Sequence, residues 1–270
     1  MVMKKSFKSL YSVLLLIVLL SVTACKKKDE HQHDDPTPAK PGEIEFHFEN
    51  RVGSLKFYLG ENYVTEAGDT IKFTMFNYYL SNFQLIKEDG SLHTIPKDSS
   101  YFLLKADDLE SQEIHFKNIP AGNYKGVRFI IGVDSLKSAA PAEQRTGVLD
   151  PATGAQGMYW SWNTGYIFVK AEGTCNVPDS TINFRYHIGL FGGYSSPTIN
   201  NIKNVELMFN QNVEVKEGKI PNIHCYVNPL EMFKTPTTFS IPTQPTIMVS
   251  PASETIADNY ADMIKFDHVH

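Results

Sequence analysis

Ile182-Asn183-Phe184-Arg185-Tyr186-His187-Ile188-Gly189 alternates apolar and polar side chains along its length. This period of two is the pattern of a β-strand with one face on a hydrophobic core and the other turned away from it. The same alternation returns in segments that begin at Ile44, Val205 and Ile223. The repeated pattern predicts a domain built from β-strands.

Turn sequences separate these segments, as in Glu88-Asp89-Gly90, Pro120-Ala121-Gly122 and Glu217-Gly218-Lys219. They contain the residue types that reverse turns favour. Residues 127–133 form a continuous apolar run, which is expected of a central strand. Many short strands joined by turns are typical of sandwiches. We therefore expect an all-β, antiparallel β-sandwich of immunoglobulin-like or jelly-roll type.

One helix is predicted near the C-terminus. Ser250 can cap it and Pro251 suits its first turn. One face of this helix would carry Ile256, Tyr260, Met263 and Ile264. A shorter helical segment is expected around residues 135–140, and we expect a single domain over residues 43–270.

The N-terminus has the pattern of a secretory signal over residues 1–24. Lys4, Lys5 and Lys8 precede an apolar run, and small residues then lead to Cys25. The run is shorter than the ~20 residues that cross a bilayer, which disfavours a transmembrane anchor. The ending resembles a bacterial lipoprotein signal, and this resemblance implies cleavage before Cys25, lipidation of Cys25 and attachment to the outer membrane, facing the periplasm or the cell surface.

Residues 25–42 are charged and proline-spaced, with no apolar residue to bury, so we expect a flexible tether. The charged run resembles the surface-export signals of some Gram-negative lipoproteins, or it is an ordinary solvated spacer. His31 and His33 in this acidic linker would bind a metal only weakly.

The composition disfavours two classes of function. The formal net charge is −5 and no basic block occurs, whereas nucleic-acid binding needs clustered Lys and Arg. The sequence also has no GxSxG, HExxH or P-loop motif. We expect a binding protein with no partner nucleic acid and no catalytic activity.

The chain has three cysteines. With Cys25 assigned to the lipid, Cys175 and Cys225 remain in an oxidising compartment. Either they form one disulfide or they are two separate thiols.

Three histidines are candidate metal ligands. His187 lies on the polar side of its predicted strand, where it is available to a ligand or is simply a cross-strand residue. His268 and His270 end the chain; in an extended tail they point to one side, ~6.5–7 Å apart, unless the terminus frays. Imidazole suits copper, zinc and nickel.

The block Gly157-Met158-Tyr159-Trp160-Ser161-Trp162-Asn163-Thr164-Gly165-Tyr166 holds both tryptophans of the chain. On a strand, Trp160 and Trp162 would share a face. The block is either an aromatic cluster that seals an edge of the sandwich or an electron-rich platform beside a ligand.

Taken together, these motifs resemble the MbnP-like family of secreted proteins. The resemblance runs from residue 44 to residue 270, and it rests on the segments beginning at Asn77, Ile131 and Ala257, on the tryptophan block, and on the Phe184-to-Gly189 and His268-Val269-His270 segments. It implies a β-sandwich with a role in copper handling, and His187, His268 and His270 as copper ligands, with His47 as a weaker fourth.

In some relatives a tryptophan is oxidised to kynurenine, a step assigned to a di-haem, peroxidase-like partner. The resemblance therefore implies oxidation of Trp160 or Trp162. The best-described kynurenine site has a histidine two residues after the tryptophan, but here Trp162 follows Trp160 at that spacing. We expect a copper-binding lipoprotein without turnover. The alternatives are a metal-free module that presents its aromatic face to a glycan or protein, and a protein that serves mainly as the substrate of an oxidase.

Overall fold

The computed structural model describes residues 39–161 and 165–270. Cys25, His31, His33, Trp162 and the predicted signal lie outside these residues, as does most of the predicted tether. Residues Ala39–His270 form one compact unit. Neither helix of the described ranges has the length and apolar character needed to cross a bilayer.

The described residues form strands and two short α-helices. The strands are β1 Gly42–Val52, β2 Leu55–Lys56, β3 Asn62–Val64, β4 Thr70–Lys87, β5 Leu92–Thr94, β6 Tyr101–Lys105, β7 Glu113–Ile119, β8 Gly122–Ile131, β9 Tyr159–Trp160, β10 Gly165–Val177, β11 Ser180–Gly189, β12 Lys203–Val215, β13 Asn222–Val227, β14 Thr246–Ile247 and β15 Ile264–Val269. The α-helices are α1 Ser135–Ser138 and α2 Ala252–Tyr260.

The strands form two sheets. The five-stranded sheet has the order β15-β13-β1, with both β2 and β7 also paired to β1. The ten-stranded sheet has the order β12-β8-β4-β10-β11-β14, with β3, β5 and β6 along β4 and with β9 along β10. The predicted sandwich is confirmed, but it is not purely antiparallel, because β1 pairs with β13, and β11 with β14, in parallel.

The main core lies between the two sheets. Alternate residues of β1, Ile44, Phe46 and Phe48, are buried there. Phe48 packs edge-on against Phe129 of β8, with ring centroids 5.8 Å apart. The intervening residues of β1 therefore point to the outer face of the five-stranded sheet, which is the face that carries the candidate site.

A second apolar cluster covers the other face of the ten-stranded sheet. Tyr79, Tyr166 and Trp160 belong to it, and the Tyr79 and Tyr166 rings lie 5.7 Å apart. Consecutive residues of β4 are buried because Tyr78 enters the main core and Tyr79 enters this second cluster. The ten-stranded sheet is thus buried on both faces in this region.

The predicted helices are present, but their ends differ from the prediction. The Asp134 side chain caps α1 by accepting a bond from Lys137 N at 3.3 Å. The hydroxyl of Ser250 does not cap α2; instead the Ser250 carbonyl accepts from Ser253 N at 3.0 Å. Ile264 was expected on the helix but begins β15, because the chain turns at residues 261–263.

The two remaining cysteines are free thiols, so the disulfide alternative is wrong. Cys175 lies on β10 opposite Ile71 and Ile182. Cys225 lies on β13 of the other sheet, opposite Phe48 and Phe266. Each side chain fills a separate apolar part of the core, where a thiol packs as a small hydrophobic group.

Candidate metal centre

Three histidines form a row across the outer face of the five-stranded sheet. His47 of β1 is in register with His224 of β13, and His224 is in register with His268 of β15. The His47 and His224 rings lie 5.1 Å apart, and the His224 and His268 rings lie 4.6 Å apart and nearly parallel. Cross-strand neighbours on one face of a sheet meet at such distances.

His270 completes the group because it follows His268 by two residues. Its backbone N–H donates to Asn222 O at 2.9 Å, and its carbonyl accepts from Asn222 N at 3.2 Å, so it continues the ladder with β13. Its ring lies 4.8 Å from that of His224 and 4.6 Å from that of His268. The final residues are therefore held in the sheet beside His224.

The nitrogens of His224, His268 and His270 converge, with one ligand atom of each within 4.8 Å of the others. The Nε2 atoms of His268 and His270 are only 2.9 Å apart. Two nitrogens bound to one ion at ~2.0–2.1 Å are at most ~4 Å apart. The widest pair of the three, at no more than 4.8 Å, lies within about 1 Å of that range.

A bulge in β15 places Asp267 beside this cluster. The register between β13 and β15 shifts after His224, so that Cys225 faces Phe266 and Asp267 is the additional residue. The Asp267 carboxylate lies 3.2 Å from His268 Nδ1 and accepts a bond from Arg51 Nη1 at 2.7 Å. With Nδ1 of His268 donating to Asp267, its Nε2 carries the lone pair, which is directed toward His270.

The electrostatics of the cluster favour the neutral form of His224. Burial lowers the pKa of His224, and the charges of His47, His268 and His270 lower it further against the opposing effect of Asp267. A neutral ring is the form that binds a metal. For Asp267, burial acts to raise the pKa, but the hydrogen bond and charge of Arg51 outweigh it and the pKa is lowered. Its carboxylate is therefore charged at neutral pH.

The donor set fits a borderline transition metal. Three imidazole nitrogens suit copper, zinc and nickel, whereas calcium and magnesium require oxygen ligands. His224 and His268 are half-buried and His270 is exposed, so solvent or a further ligand can reach the ion. Cys225, which follows His224 in the sequence, points into the core and is 2% exposed.

Sequence reasoning found part of this cluster and missed one member. The structure brings His268 and His270 together on an extended tail and places His47 next to the group. His224 was not identified, although Asn222-Ile223-His224-Cys225-Tyr226-Val227 alternates and puts it opposite the apolar side chains. Local alternation cannot show that β13 lies between β1 and β15, and this position is what brings His224 next to the other histidines.

His187 is not part of the cluster, and this corrects the predicted ligand set. It lies on β11 in the ten-stranded sheet and is 9% exposed. Its Nε2 is 2.6 Å from Glu172 Oε1 on β10. Burial lowers the pKa of His187, and the hydrogen bond to Glu172 opposes that shift.

Trp160 is also remote from the histidines, since it lies in the second apolar cluster, on the other side of the ten-stranded sheet. It is 5% exposed and packs closely on Gly189, where an added Cβ would meet its ring at 2.7 Å. The expected proximity of Trp160 to the histidine site is therefore not found. Trp162, the other candidate for oxidation, is outside the described residues.

Comparison with known proteins gives one family. The family model described as MbnP matches residues 41–249. This range includes His47 and His224 and ends before α2 and β15, so it is shorter than the resemblance drawn from the sequence motifs. A solved structure, MbnP from Methylosinus trichosporium, aligns with 17% identity and a TM-score of 0.45 over 73% of this chain and 78% of that chain. No curated protein matches significantly.

Proposed function

The chain belongs to the MbnP family, and from that premise we propose that it binds copper through His224, His268 and His270. Membership makes it a methanobactin-associated, copper-related protein. The histidine cluster supports the finer proposal, with His47 positioned against His224 as a further ligand or as a second-layer contact. We propose binding without catalytic turnover.

One observation carries this proposal: three imidazoles from two neighbouring strands and the chain terminus converge within 4.8 Å. Rings of this kind repel one another when protonated, and they gain nothing from burial unless a cation or a hydrogen bond uses their lone pairs. A shared ion satisfies them. The association of the family with copper favours copper over zinc and nickel.

We propose that the protein is held outside the cytoplasm by a lipid on Cys25. The support is the signal pattern before Cys25 and the charged segment after it. Such an anchor would keep a copper-binding domain at the outer membrane, on the periplasmic side or at the cell surface. Metabolic labelling with a tagged fatty acid tests this anchor. The label should be incorporated into the wild-type chain and not into a Cys25→Ser variant.

Oxidation of a tryptophan by a di-haem peroxidase-like partner is a separate proposal, supported by the family resemblance alone. Applied to Trp160, it would not add a ligand to the histidine cluster, because the two lie on different sheets. The alternative of a metal-free module with an exposed aromatic face is less favoured, since Met158, Trp160 and Tyr166 are all buried.

The copper proposal is tested by stoichiometry on protein that ends in its native His270, without a C-terminal tag. Cys25→Ser protein is loaded with copper, desalted through a weak chelator and measured by elemental analysis. We expect close to one copper per chain, and far less in His224→Gln and in His268→Gln. His93→Gln and His187→Gln are matched controls, because both histidines lie on strands of the ten-stranded sheet.

Two results would overturn the copper proposal. One is retention of far less than one copper by the wild-type chain. The other is full retention by His224→Gln together with loss in His187→Gln, which would move the site to the ten-stranded sheet. A parallel loading with zinc and nickel in equal amounts establishes whether copper is preferred.

A further inference from the structure

A cavity of about 500 Å³ lies on the outer side of the ten-stranded sheet. The segment from Ser138 to Arg145 forms one wall, and the segment from Leu190 to Thr198 forms the opposite wall. Trp160 lies between them. This cavity is separate from the histidine cluster, which is on the five-stranded sheet, so a ligand could bind in it without copper.

Arg145 is a buried cation at the wall of this cavity, with only 7% of its surface exposed. Its Nε donates to Ala140 O at 2.7 Å and its Nη1 donates to Tyr159 OH at 2.8 Å. The guanidinium also lies over the Tyr159 ring, 5.6 Å from the centroid. None of these partners carries a negative charge.

Arg145 also interacts with the Tyr166 side chain, and it forms no ion pair with a carboxylate in the part of the chain that the structure describes. A buried charge is costly unless a counter-charge or a full set of hydrogen bonds accompanies it. Guanidinium offers five N–H donors in a planar fork that matches a carboxylate. An anion in the cavity would supply the negative charge that the described residues around Arg145 do not supply.

The remaining walls are mainly apolar and aromatic. Trp160 is 5% exposed, Leu190 and Phe191 are half-buried, and the hydroxyls of Ser196 and Thr198 add polar groups. A few polar groups in an apolar, concave site are characteristic of small-molecule sites. A flat apolar ligand body would find aromatic contacts here, with a single cation to receive its charged end.

The rim of the cavity is held by buried polar contacts. Asn201 N donates to Leu190 O at 2.8 Å, and Asn201 Nδ2 donates to Gly189 O at 2.7 Å. Leu190 has a φ of 78°, which a non-glycine residue adopts only when its surroundings enforce it. The wall is thus formed before any ligand arrives, which reduces the ordering cost of binding.

We propose that this cavity binds a small aromatic carboxylate, with the carboxylate paired to Arg145 and the ring against Trp160 and Phe191. Arg145 can pair with one carboxylate, and a cavity of about 500 Å³ has the size of a small-molecule site. A neutral analogue of the same shape would keep the ring contacts and lose the ion pair.

The test compares indole-3-acetate with indole-3-acetamide by titration calorimetry on metal-free Cys25→Ser protein. We expect the acid to bind at least about tenfold more tightly than the amide, since the amide lacks the charge-assisted pair. Arg145→Met should remove this difference between the two compounds. Arg128→Met is the matched control, because Arg128 is paired with Glu206 elsewhere on the same sheet, and it should keep the difference.

A variant that fills the cavity keeps the proposal testable if Arg145→Met does not fold. Ser196→Phe leaves Arg145 in place and should abolish binding of both compounds. Equal affinity for acid and amide in the wild-type protein would overturn the proposal. So would the absence of binding by indole-3-acetate, benzoate and phenylacetate at millimolar concentration, or unchanged binding in Ser196→Phe.

Discussion

Asp267 contacts two groups of different kinds, the Arg51 guanidinium on one side and the His268 ring on the other. A carboxylate that accepts from the outer ring nitrogen fixes the tautomer and orientation of a metal-binding histidine. Arg51 in turn lies over the Tyr226 ring, 5.5 Å from its centroid. Arg51 thus holds the Asp267 carboxylate in place, and the carboxylate orients the His268 ring.

Asp267→Asn should weaken copper binding by about tenfold or more, because the neutral amide holds the ring less firmly and gives up the pair with Arg51. Competition against a coloured copper chelator measures the affinity. Asp262→Asn is the control, since Asp262 pairs only with the exposed Lys265, at 2.8 Å. Equal affinities for the two variants would contradict a positioning role for Asp267.

His187 should lower the free energy of unfolding of the protein as the pH is lowered. Burial lowers its pKa in the folded chain, whereas an imidazole in the unfolded chain titrates near ~6.5. As the pH falls below this value, the unfolded chain takes up the proton first, and the free energy of unfolding decreases until the folded pKa is passed. Above that window this histidine contributes no pH dependence.

Urea unfolding of metal-free protein at pH 7.5 and at pH 5.5 measures this effect. His187→Gln keeps a donor for Glu172 and removes the titration, so the variant should lose less stability between the two pH values than the wild type does. An identical loss in both proteins would show that His187 does not contribute to it.

Helix α2 is tied to the segment of residues 232–237 through one side chain. Asn259 is fully buried; its Nδ2 donates to Met232 O at 3.0 Å and to Thr237 O at 2.7 Å, and its Oδ1 accepts from Thr237 N at 3.0 Å. These bonds satisfy the backbone of a loop that has no sheet partner.

Asn259→Ala should lower the free energy of unfolding by about 2–4 kcal/mol, because it leaves buried backbone groups without partners. Chemical denaturation measures the change. Asp258→Ala on the same helix is the control, since it removes only an exposed pair with Lys203 and should cost at most about 1 kcal/mol. Comparable losses for the two variants would contradict this account.

The local sequence pattern predicted the presence of strands and helices better than it predicted where they begin and end. The two-residue spacing of His268 and His270 correctly indicated an extended tail, and the spacing of Ile256 and Tyr260 indicated the helix. Ile264 was assigned to the wrong element because its apolar spacing suits the helix and the strand equally. The Ser250 cap was wrong because a suitable residue type does not ensure that its hydroxyl reaches the first turn.

Because both thiols are buried and free, we expect that reductant will not change the melting temperature of the folded protein and that thiol reagents will not label it. Cys175 and Cys225 are 0% and 2% exposed, and burial raises the pKa of each. In the Cys25→Ser chain, a thiol reagent should label neither cysteine in the native state and both in denaturant. A melting temperature that drops on adding reductant would instead indicate a disulfide.

The sandwich class could be predicted from the sequence, but the sheet order could not. Strand periodicity reports which side chains are buried and not which strand lies next to which. His47 and His224 meet because β1 and β13 pair in parallel, and parallel pairs carry no hairpin signal. His187 was predicted as a metal ligand for the same reason. The alternation places its side chain on the polar side of its strand, but it does not show that this strand belongs to the ten-stranded sheet and not to the sheet of His268 and His270.

The place of β1 between late strands affects the timing of folding. Its partner β13, and β15 beyond it, follow β1 by about 170 residues or more in the sequence, so one edge of β1 stays unpaired until they are synthesised. Contacts between residues so far apart in sequence form slowly. Until then the histidines are dispersed along an open polypeptide. Under the proposed function, copper therefore binds only after His268 and His270 have joined the sheet beside His224.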